Sequence, residues 1–180
     1  RGRCWNKSFV TWLRSVESVC EYGKQTLDQL ICQYEDLRKR RLEMIRLLRK
    51  LSRTERFSEA LGWLMSVPGI GQLTGMAFIA EIDDISRFKN ADQLASYIGM
   101  IPMCHSSGEH DGTGDITLRC HSKLRCVLIE AAWVAIRQDA AMTLAYTEYC
   151  RRMKPSKAII KIARRLVNRI YFVMKHKKKY

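Results

Sequence analysis

The sequence predicts an all-α protein in which long coiled-coil helices precede a compact helical domain. Apolar residues recur every three or four positions over most of the 180-residue chain, as they do on helices with one buried face. Glycine, proline and serine interrupt this pattern mainly at the turn 67–71 and in the longer segment 101–117. We therefore predict a coiled-coil and dimerisation segment over 1–60 and a compact helical domain over 61–180.

The charge balance indicates a polyanionic partner. Lys and Arg number 32 against 18 Asp and Glu, which gives a formal net charge of +14 and a pI of about 9.7. Nucleic acid is the first partner that this balance suggests, and an anionic membrane surface is the second. No apolar run is long enough to cross a bilayer and no signal-peptide pattern is present, so we expect a soluble intracellular protein. The seven cysteines include no C-x-x-C pair, which fits reduced thiols.

Two N-terminal helices are predicted. Residues 6–22 place apolar side chains at helical spacing, and Gly23 should end or bend that helix. A heptad seam then follows, with only its arginine out of pattern. The seam consists of Leu27, Leu30, Tyr34, Leu37, Arg41, Met44, Leu48 and Leu51. It indicates either an antiparallel helical pair that dimerises or a long helix that lies on its own domain. Because the sequence opens at Arg1 without an initiator methionine, we also expect a longer parent polypeptide.

A short turn, VPGIG at 67–71, separates two apolar helical runs. Pro68 cannot sit inside a helix and Gly69 can adopt positive φ, so the first helix should stop at the turn. The second helix should begin near Gln72, and its first amides carry the positive end of the helix dipole. The pattern resembles a helix-hairpin-helix motif, in which the apolar residue inserts between the helices and backbone amides bind a DNA phosphate. The residues predicted to make this contact are Gly69, Ile70, Gly71 and Gln72. An ordinary tight turn between two core helices is the alternative.

The remaining helices follow from caps and spacing. Thr54 should cap a helix that runs to the turn, and Asn90 with Gln93 has the capping-box spacing for a short helix. Three more helices are expected over 123–138, 140–153 and 155–175. We expect the first of these to bury Cys126, Ile129, Trp133 and Ile136, and the last to bury Ile159, Ile162, Leu166, Ile170 and Phe172. Residues 101–117 break the helical pattern and should form a loop or a loose β-hairpin.

Basic residues concentrate after Glu148, beyond which the chain contains no acidic residue. The last helix has one positive face and one apolar face, so we predict that its cations contact nucleic-acid phosphates without reading the base sequence. Three cations near the start of the helix 123–138 are assigned to the same role. The predicted nucleic-acid-binding side chains are Arg119, Lys123, Arg125, Lys154, Lys157, Lys161, Arg164 and Arg165.

The segment 101–117 carries the candidate chemistry. Ser107 precedes a glycine and has cations a few residues on, and attack on a phosphodiester needs an exposed hydroxyl, backbone amides and positive charge. Ser-Gly pairs also occur in plain turns, so the spacing alone leaves both readings open. The cysteines and histidines in this region are Cys104, His105, His110, Cys120 and His121. Their spacing matches no zinc motif and no carboxylate cluster suits two magnesium ions, so we predict no metal site in this chain.

Several motifs follow one another between residues 61 and 175: PGIG, AEIDDISRF, LASYIGMIP, the Ser-Ser-Gly loop, Gly-x-Ile-Thr and a Leu-Arg pair at the start of the next helix. As an ordered set they resemble the C-terminal domain of the insertion sequence 110/116/902 transposases. One stretch departs from the family, which usually has Thr-Lys-x-Gly-Asn where this chain has Thr-Leu-Arg-Cys-His at 117–121. Arg119 can replace the missing lysine, whereas the loss of the glycine changes the expected loop.

The resemblance implies that an RNase H-like domain with a DEDD metal site precedes this chain and holds Mg2+, so no cofactor is expected in the chain itself. It implies that Ser107, with Ser106 as the fallback, is the nucleophile that forms a transient phosphoserine bond with DNA. It also implies a structured guide RNA whose base pairing selects the target. Homodimers or higher oligomers through the coiled coil, and a bacterial cytoplasmic location at the nucleoid, are the further expectations.

These observations predict the C-terminal part of a bacterial insertion-sequence transposase, which binds DNA and a guide RNA and supplies a serine for strand cleavage and exchange. The complete protein should be an enzyme, whereas the chain alone should be inactive because the metal-binding domain is absent. The alternative is a non-catalytic helix-hairpin-helix scaffold that holds nucleic acid for a separate nuclease domain. Covalent attachment of DNA to the serine would distinguish the two.

Overall fold

A computed structural model describes residues 5–17, 20–107 and 110–180, with the backbone alone described at 104–107 and 110–114. The chain divides into two compact units, of which the first ends at Leu48 and the second runs from Arg49 to Tyr180. Helices account for nearly all of the described regular structure, so the predicted all-α class is confirmed. The predicted border between functional domains at residues 60 and 61 stays a prediction. In the described ranges, no helix combines the length and apolarity needed to cross a membrane.

The first unit holds two helices, α1 (Lys7–Ser15) and most of α2 (Glu21–Leu51). Asn6 caps α1, because its Oδ1 accepts a 2.7 Å hydrogen bond from the amide of Phe9. An ion pair of 2.7 Å joins Arg14 of α1 to Glu35 of α2. This ion pair attaches α1 to the side of the longer helix.

The start of α2 corrects the predicted break at Gly23, which lies inside the helix. The chain leaves helical geometry at Val16 instead, where ψ is 120°. A glycine inside a helix costs only about 1 kcal/mol, which the other 30 residues of α2 can outweigh. Three apolar residues of the heptad seam are mostly exposed in the single chain, Leu30 at 57%, Leu37 at 66% and Met44 at 66%.

The second unit contains six helices, one 3-10 helix and one β-hairpin among its described residues. In chain order they are α3 (Glu55–Met65), α4 (Gln72–Ile82), the 3-10 helix (Ile85–Arg87), α5 (Ala91–Ile98), β1 (Pro102–Ser107), β2 (His110–Ile116), α6 (Ser122–Gln138), α7 (Ala140–Arg152) and α8 (Pro155–His176). The two strands are antiparallel, with Pro102 opposite Ile116 and an irregularity before Cys104. Of the two predicted alternatives for this segment, the structure therefore has the hairpin.

The core of the second unit forms around α8, which packs against α3, the 3-10 helix, α5, α6 and α7. Its buried residues are Ala158, Ile159, Ile162, Ala163, Leu166, Val167, Ile170, Val173 and Met174. The predicted stripe is correct except at Phe172, which is 50% exposed and stacks on His176 with ring centroids 4.4 Å apart. Phe172 follows Ile170 by two residues, which is more than half a turn, so it lies on the opposite face.

The buried face of α6 also differs from the prediction. Its fully buried residues are Leu124, Leu128, Ala131, Ala132 and Ala135. Cys126 is exposed, while Ile129, Trp133 and Ile136 are only partly buried at the edge of the core. The alanines allow α4 and α8 to approach α6 closely, and the larger side chains fill the space on either side.

Two predicted helix starts are confirmed in position. At α5 the amide of Gln93 donates to Asn90 Oδ1 at 2.9 Å, as the capping spacing predicts. Thr54 precedes α3, but its hydroxyl donates to the carbonyl of Leu51 at 2.7 Å and does not cap the helix. The α3 N-terminus therefore has no side-chain cap from Thr54.

Candidate nucleic-acid interface

The turn between α3 and α4 packs tightly on α6. Gly69 has φ +93°, and a Cβ added to it would lie 2.5 Å from the carbonyl oxygen of Ala131. Its amide donates to Gln138 Oε1 at 3.0 Å. Ile70 is buried at 6% exposure, as both predicted alternatives require. Only glycine fits at position 69, because a side chain there would be strained and would collide with α6.

The N-terminus of α4 is open. Gly71 occupies the N-cap position without a side-chain hydrogen bond, and a Cβ added to it would meet nothing within 4 Å. The side chain of Gln72 turns away to donate to Ser52 Oγ at 2.6 Å, and Ser52 is buried. Of the predicted contact residues, Gly71 and Gln72 can therefore offer backbone amides to an anion, whereas the Gln72 side chain already has a partner.

The candidate serines end β1. In the strand register Ser106 faces Asp111 and Ser107 faces His110. The side chains of these residues lie outside the described part of the structure, and so do those of Cys104 and His105. The assignments of Ser107 and Ser106 as nucleophiles therefore stay predictions.

His121 has a structural role at the start of α6. Its Nδ1 accepts a 3.2 Å hydrogen bond from the amide of Leu124, and its Nε2 lies 2.9 Å from Glu81 Oε2. The imidazole thus caps α6 and connects it to the end of α4. Within the described residues, no three His, Cys, Asp or Glu side chains gather in a way that could hold a metal ion.

The three cations near the start of α6 differ in what they contact. Arg125 Nη1 donates to the carbonyl of Thr117 at 2.6 Å and to that of Gly99 at 3.2 Å. This guanidinium therefore joins the end of β2 to the end of α5. Two of its hydrogen bonds go to backbone carbonyls of the protein itself. Arg119 and Lys123 are exposed and remain accessible to a phosphate.

The cations of α8 form two groups. Arg164 pairs with Asp92 and Arg169 pairs with Asp139, so both are engaged within the molecule. Lys154, Lys157, Lys161 and Arg165 are exposed. Lys161 Nζ and Arg165 Cζ both lie over the aromatic ring of Tyr149, each 5.3 Å from the ring centroid.

One exposed lysine ties α8 to the hairpin. Lys157 Nζ lies 2.9 Å from Asp115 Oδ1 at the end of β2. The hydrogen bond and the charge of Lys157 lower the pKa of Asp115 below its ordinary value, so this carboxylate stays charged at neutral pH. The contact brings the base of the serine-bearing hairpin against the most basic helix of the chain.

A groove of about 710 Å³ lies between the base of the hairpin and α8. Its residues are Met100, Ile101, Pro102, Asp115, Ile116, Ser156, Lys157, Ile160, Lys161 and Arg164. Five of these residues are apolar, and the α8 side of the groove carries three cations. Hereafter we call this site the hairpin groove.

Residues 62–148 match the family model described as Transposase IS116/IS110/IS902 family. The matched segment of the chain belongs to this transposase family. The matched region begins in α3 and ends in α7, so it contains the α3–α4 turn, the hairpin and the start of α6. The family resemblance found in the sequence is thereby confirmed.

Individual members of the transposase family align with parts of the chain. The transposase for insertion sequence element IS1111A of Coxiella burnetii is 36% identical over 74 residues, which are 41% of this chain and 20% of that protein. A probable family 20 transposase of Pseudomonas aeruginosa is 29% identical over 115 residues, 64% of this chain and 34% of that protein. An uncharacterized 44.8 kDa protein of insertion element IS116 from Streptomyces clavuligerus is 26% identical over 131 residues, 72% of this chain and 33% of that protein. The chain thus spans about a fifth to a third of the length of these relatives.

Sequence reasoning missed the residues that hold this family domain together around the candidate interface. Gln138, Asp139 and Asp92 each bind a residue that is distant in sequence. The sequence could have marked Asp139 as an N-cap, because it immediately precedes an apolar-periodic segment. In the structure it caps α7 by accepting hydrogen bonds from the amides of Ala141 and Met142. No local pattern marks the other two.

Proposed function

We propose that this chain is the C-terminal part of a DNA transposase of a bacterial insertion sequence. In this proposal it binds DNA and a structured guide RNA, and Ser107 supplies the nucleophile for strand cleavage and exchange, with Ser106 as the fallback. Family membership supports the transposase assignment. The observation that supports a DNA site at the hairpin is the 2.9 Å contact between Lys157 and Asp115, which attaches the hairpin to the basic helix α8. The choice of Ser107 as the nucleophile follows from the family resemblance.

The proposed chemistry is a transfer of a phosphodiester from DNA to the serine. The Ser107 hydroxyl loses its proton as its oxygen attacks the phosphorus, and the bond from phosphorus to one deoxyribose oxygen breaks. That oxygen takes up a proton and leaves as the hydroxyl end of one DNA segment, while the other segment stays joined to the protein through a phosphoserine ester. A cation beside the phosphate would reduce its repulsion of the incoming oxygen. Arg119 and Lys123 follow β2 in sequence and Lys157 contacts Asp115, so these exposed cations lie toward the base of the hairpin, where they would hold the DNA backbone that leads to the serine.

Mg2+ is proposed to act in a domain that precedes this chain in the complete protein, where it supplies Lewis-acid activation of the phosphate. The described residues of this chain offer no group of ligands for it. We therefore assign no step of the chain's own chemistry to the metal. The same reasoning makes us expect the isolated chain to bind nucleic acid without cleaving it.

Self-association through α2 belongs to the same proposal. The exposed heptad residues Leu30, Leu37 and Met44 form an apolar row that a second copy would cover in a coiled coil. A dimer would allow the metal-bearing domain of one subunit to meet the hairpin of the other. A cytoplasmic protein associated with the nucleoid is the location that this function requires.

The decisive experiment uses the complete protein with its N-terminal domain. It is incubated with element-end DNA, the cognate RNA and Mg2+, and DNA-protein adducts are sought by denaturing gel and by peptide mass spectrometry. We expect an adduct at Ser107, and we expect Ser107→Ala to abolish it while DNA binding stays near normal. Ser106→Ala is the matched control and should keep the adduct.

A non-catalytic scaffold is the second candidate function. The open N-terminus of α4 at Gly71 favours it, because a helix-hairpin-helix needs free amides there and needs no nucleophile. Cleavage of the DNA without any adduct would support the scaffold and contradict the serine assignment. Loss of both binding and adduct in Ser107→Ala would indicate a serine that serves the structure alone.

A further inference from the structure

The hairpin groove is partly lined by apolar side chains, which a site that binds only phosphate does not require. Ile101, Ile116 and Ile160 contribute its aliphatic part, and each is only partly buried by the rest of the chain. Leaving such side chains open to water is unfavourable by about 25 cal/mol for each Å² of apolar area. A flat, partly apolar ligand would therefore gain free energy by entering.

The charges around the groove select an anionic ligand. Lys157 forms an ion pair with Asp115, and Arg164 forms an ion pair with Asp92, so the acidic partner offsets each positive charge. Lys161 has no acidic partner among the described residues, and its ammonium is held against the ring of Tyr149. The groove therefore keeps at least one positive charge available beside the aliphatic surface.

Arg164 adds an unused hydrogen-bond donor. Its Nη1 is buried and has no hydrogen-bond partner among the described residues, while the side chain as a whole is 25% exposed. A buried donor without an acceptor is unfavourable, so a shift of the Arg164 side chain that lets Nη1 meet an acceptor on an occupant would be stabilising. The edges of nucleic-acid bases carry acceptors of this kind, such as O6 or N7 of guanine.

We propose that the hairpin groove binds one unpaired nucleotide of a DNA strand, with its base against the aliphatic surface and its phosphate at Lys161. This inference rests on the proposed function, since it adds a nucleotide site to a chain that binds DNA. A base inside a duplex is stacked and paired and cannot enter the groove, so only an extruded or single-stranded base fits.

The position of the groove connects it to the serine. Pro102 lines the groove and Ser107 ends the same strand, β1. Five residue steps of extended strand span roughly 16 Å at about 3.3 Å each. The unpaired nucleotide would then lie on the order of five nucleotides from the phosphate that Ser107 attacks, at about 3.4 Å per nucleotide. Such a site would hold the strand in register for cleavage.

The test measures binding of the 180-residue chain to fluorescein-labelled DNA by fluorescence anisotropy. Three duplexes of equal length are compared, one fully paired, one with a single extrahelical guanosine and one with an extrahelical abasic residue. We expect the guanosine bulge to bind roughly tenfold more tightly than the paired duplex, which corresponds to burial of about 55 Å² of apolar surface at about 25 cal/mol for each Å². The abasic bulge should bind like the paired duplex.

Variants assign the preference to the groove. Lys161→Gln removes one positive charge from α8 and Lys154→Gln removes one from its N-cap position, but only Lys161 lines the groove. We expect Lys161→Gln to remove most of the preference for the bulge, and Lys154→Gln to weaken all three duplexes equally. Ile160→Gln makes the aliphatic surface polar without changing the charge and should also remove the preference.

Each other outcome contradicts a stated part of the idea. Normal DNA binding without a preference for the bulge would overturn the groove inference and leave the proposed function standing. Failure to bind any of the duplexes would overturn the proposed function as well. A preference that survives in both Lys161→Gln and Ile160→Gln would show that the base binds elsewhere. An equal preference for the same bulge in an RNA duplex would overturn the assignment to a DNA strand.

Discussion

The backbone amide of Gly69 donates a hydrogen bond to Gln138 Oε1 at 3.0 Å, so the last residue of α6 holds the turn that precedes α4. The next residue, Asp139, caps α7 and pairs with Arg169 of α8. Two consecutive residues thus connect the α3–α4 turn, the α6–α7 corner and the central helix. One amide that a helix-hairpin-helix would offer to phosphate therefore already has an acceptor within the protein.

Gly69 and Gly71 should respond differently to alanine. Gly69→Ala puts a Cβ at positive φ and against α6, and we expect it to lower the free energy of unfolding by about 2–4 kcal/mol. Gly71→Ala meets open space and should cost less than about 1 kcal/mol. Urea denaturation of both variants tests this difference. Similar losses would mean that the turn does not pack on α6 as described.

Gln138→Ala tests whether the Gly69 amide can meet a phosphate. The substitution removes a hydrogen bond worth about 0.5–1.5 kcal/mol and frees the amide, so affinity for a DNA duplex should rise by about two- to tenfold. Fluorescence anisotropy measures the change. Asn168→Ala, which removes an exposed amide from α8, is the control and should leave affinity unchanged. Unaltered affinity in Gln138→Ala would argue against a phosphate contact at this turn.

Arg125 should matter more for stability than for binding. Arg125→Ala leaves the carbonyls of Thr117 and Gly99 without their charged donor, and we expect a loss of about 2 kcal/mol in the free energy of unfolding. Lys123→Ala removes an exposed charge and should change stability by less than about 0.5 kcal/mol. Chemical denaturation of the two variants, beside the parent chain, provides the comparison. A structural role for Arg125 is contradicted if the Arg125→Ala and Lys123→Ala variants are equally stable and bind DNA equally weakly.

The ion pair of Asp139 and Arg169 predicts a pH dependence. Partial burial raises the pKa of Asp139, but hydrogen bonds from Arg169, Met142 and Ala141 outweigh it, and the pKa lies below the ordinary 3.8. A depressed folded-state pKa contributes stability above the unfolded-state value and loses it as the pH falls through the folded-state value. Asp139→Asn should therefore be less stable than the parent chain at pH 7, by about 2 kcal/mol. The gap should begin to narrow below about pH 4 and should close once the pH is below the folded-state pKa. Urea midpoints at several pH values check this, and a constant gap would contradict it.

The exposed cations of α8 should appear in the salt dependence of DNA binding. Lys154→Gln and Arg165→Gln should each reduce the slope of log affinity against log salt by about 0.9, if each contacts one phosphate. Arg152→Gln on α7 is a control of equal charge change, since Arg152 lies 3.8 Å from Glu148. Affinities measured from about 50 to 200 mM salt give the slopes. Equal slopes in all three variants would mean that DNA binding depends on the net charge of the chain and not on phosphate contacts at these positions of α8.

The helices could largely be predicted from the sequence because their signals are local. Asn90 with Gln93 marks the start of α5, and Pro155 stands at the start of α8. The apolar spacing of α8 gave its buried face, with Phe172 as the exception. Gly23 was misread because a single glycine lowers helix propensity without fixing where a helix must end.

The candidate site could be predicted only in part, because its contacts depend on tertiary structure. The cations of α8 were visible as a charge run, but nothing near Arg164 in sequence shows that Asp92 would pair with it. Arg125 looked like a free cation because the two carbonyls that it binds come from different elements. The stripe of α6 was misjudged because alanines such as Ala131 and Ala135 become core residues only where another helix approaches.

The central position of α8 has a consequence for the motions of the second unit. Because α8 is packed by four α-helices and the 3-10 helix, amide protons in its middle can exchange with solvent only when the unit opens as a whole. Lys161 and Arg165 therefore stand on backbone whose conformational entropy has already been lost on folding. When Lys161 and Arg165 bind a phosphate, only their side chains lose further conformational entropy.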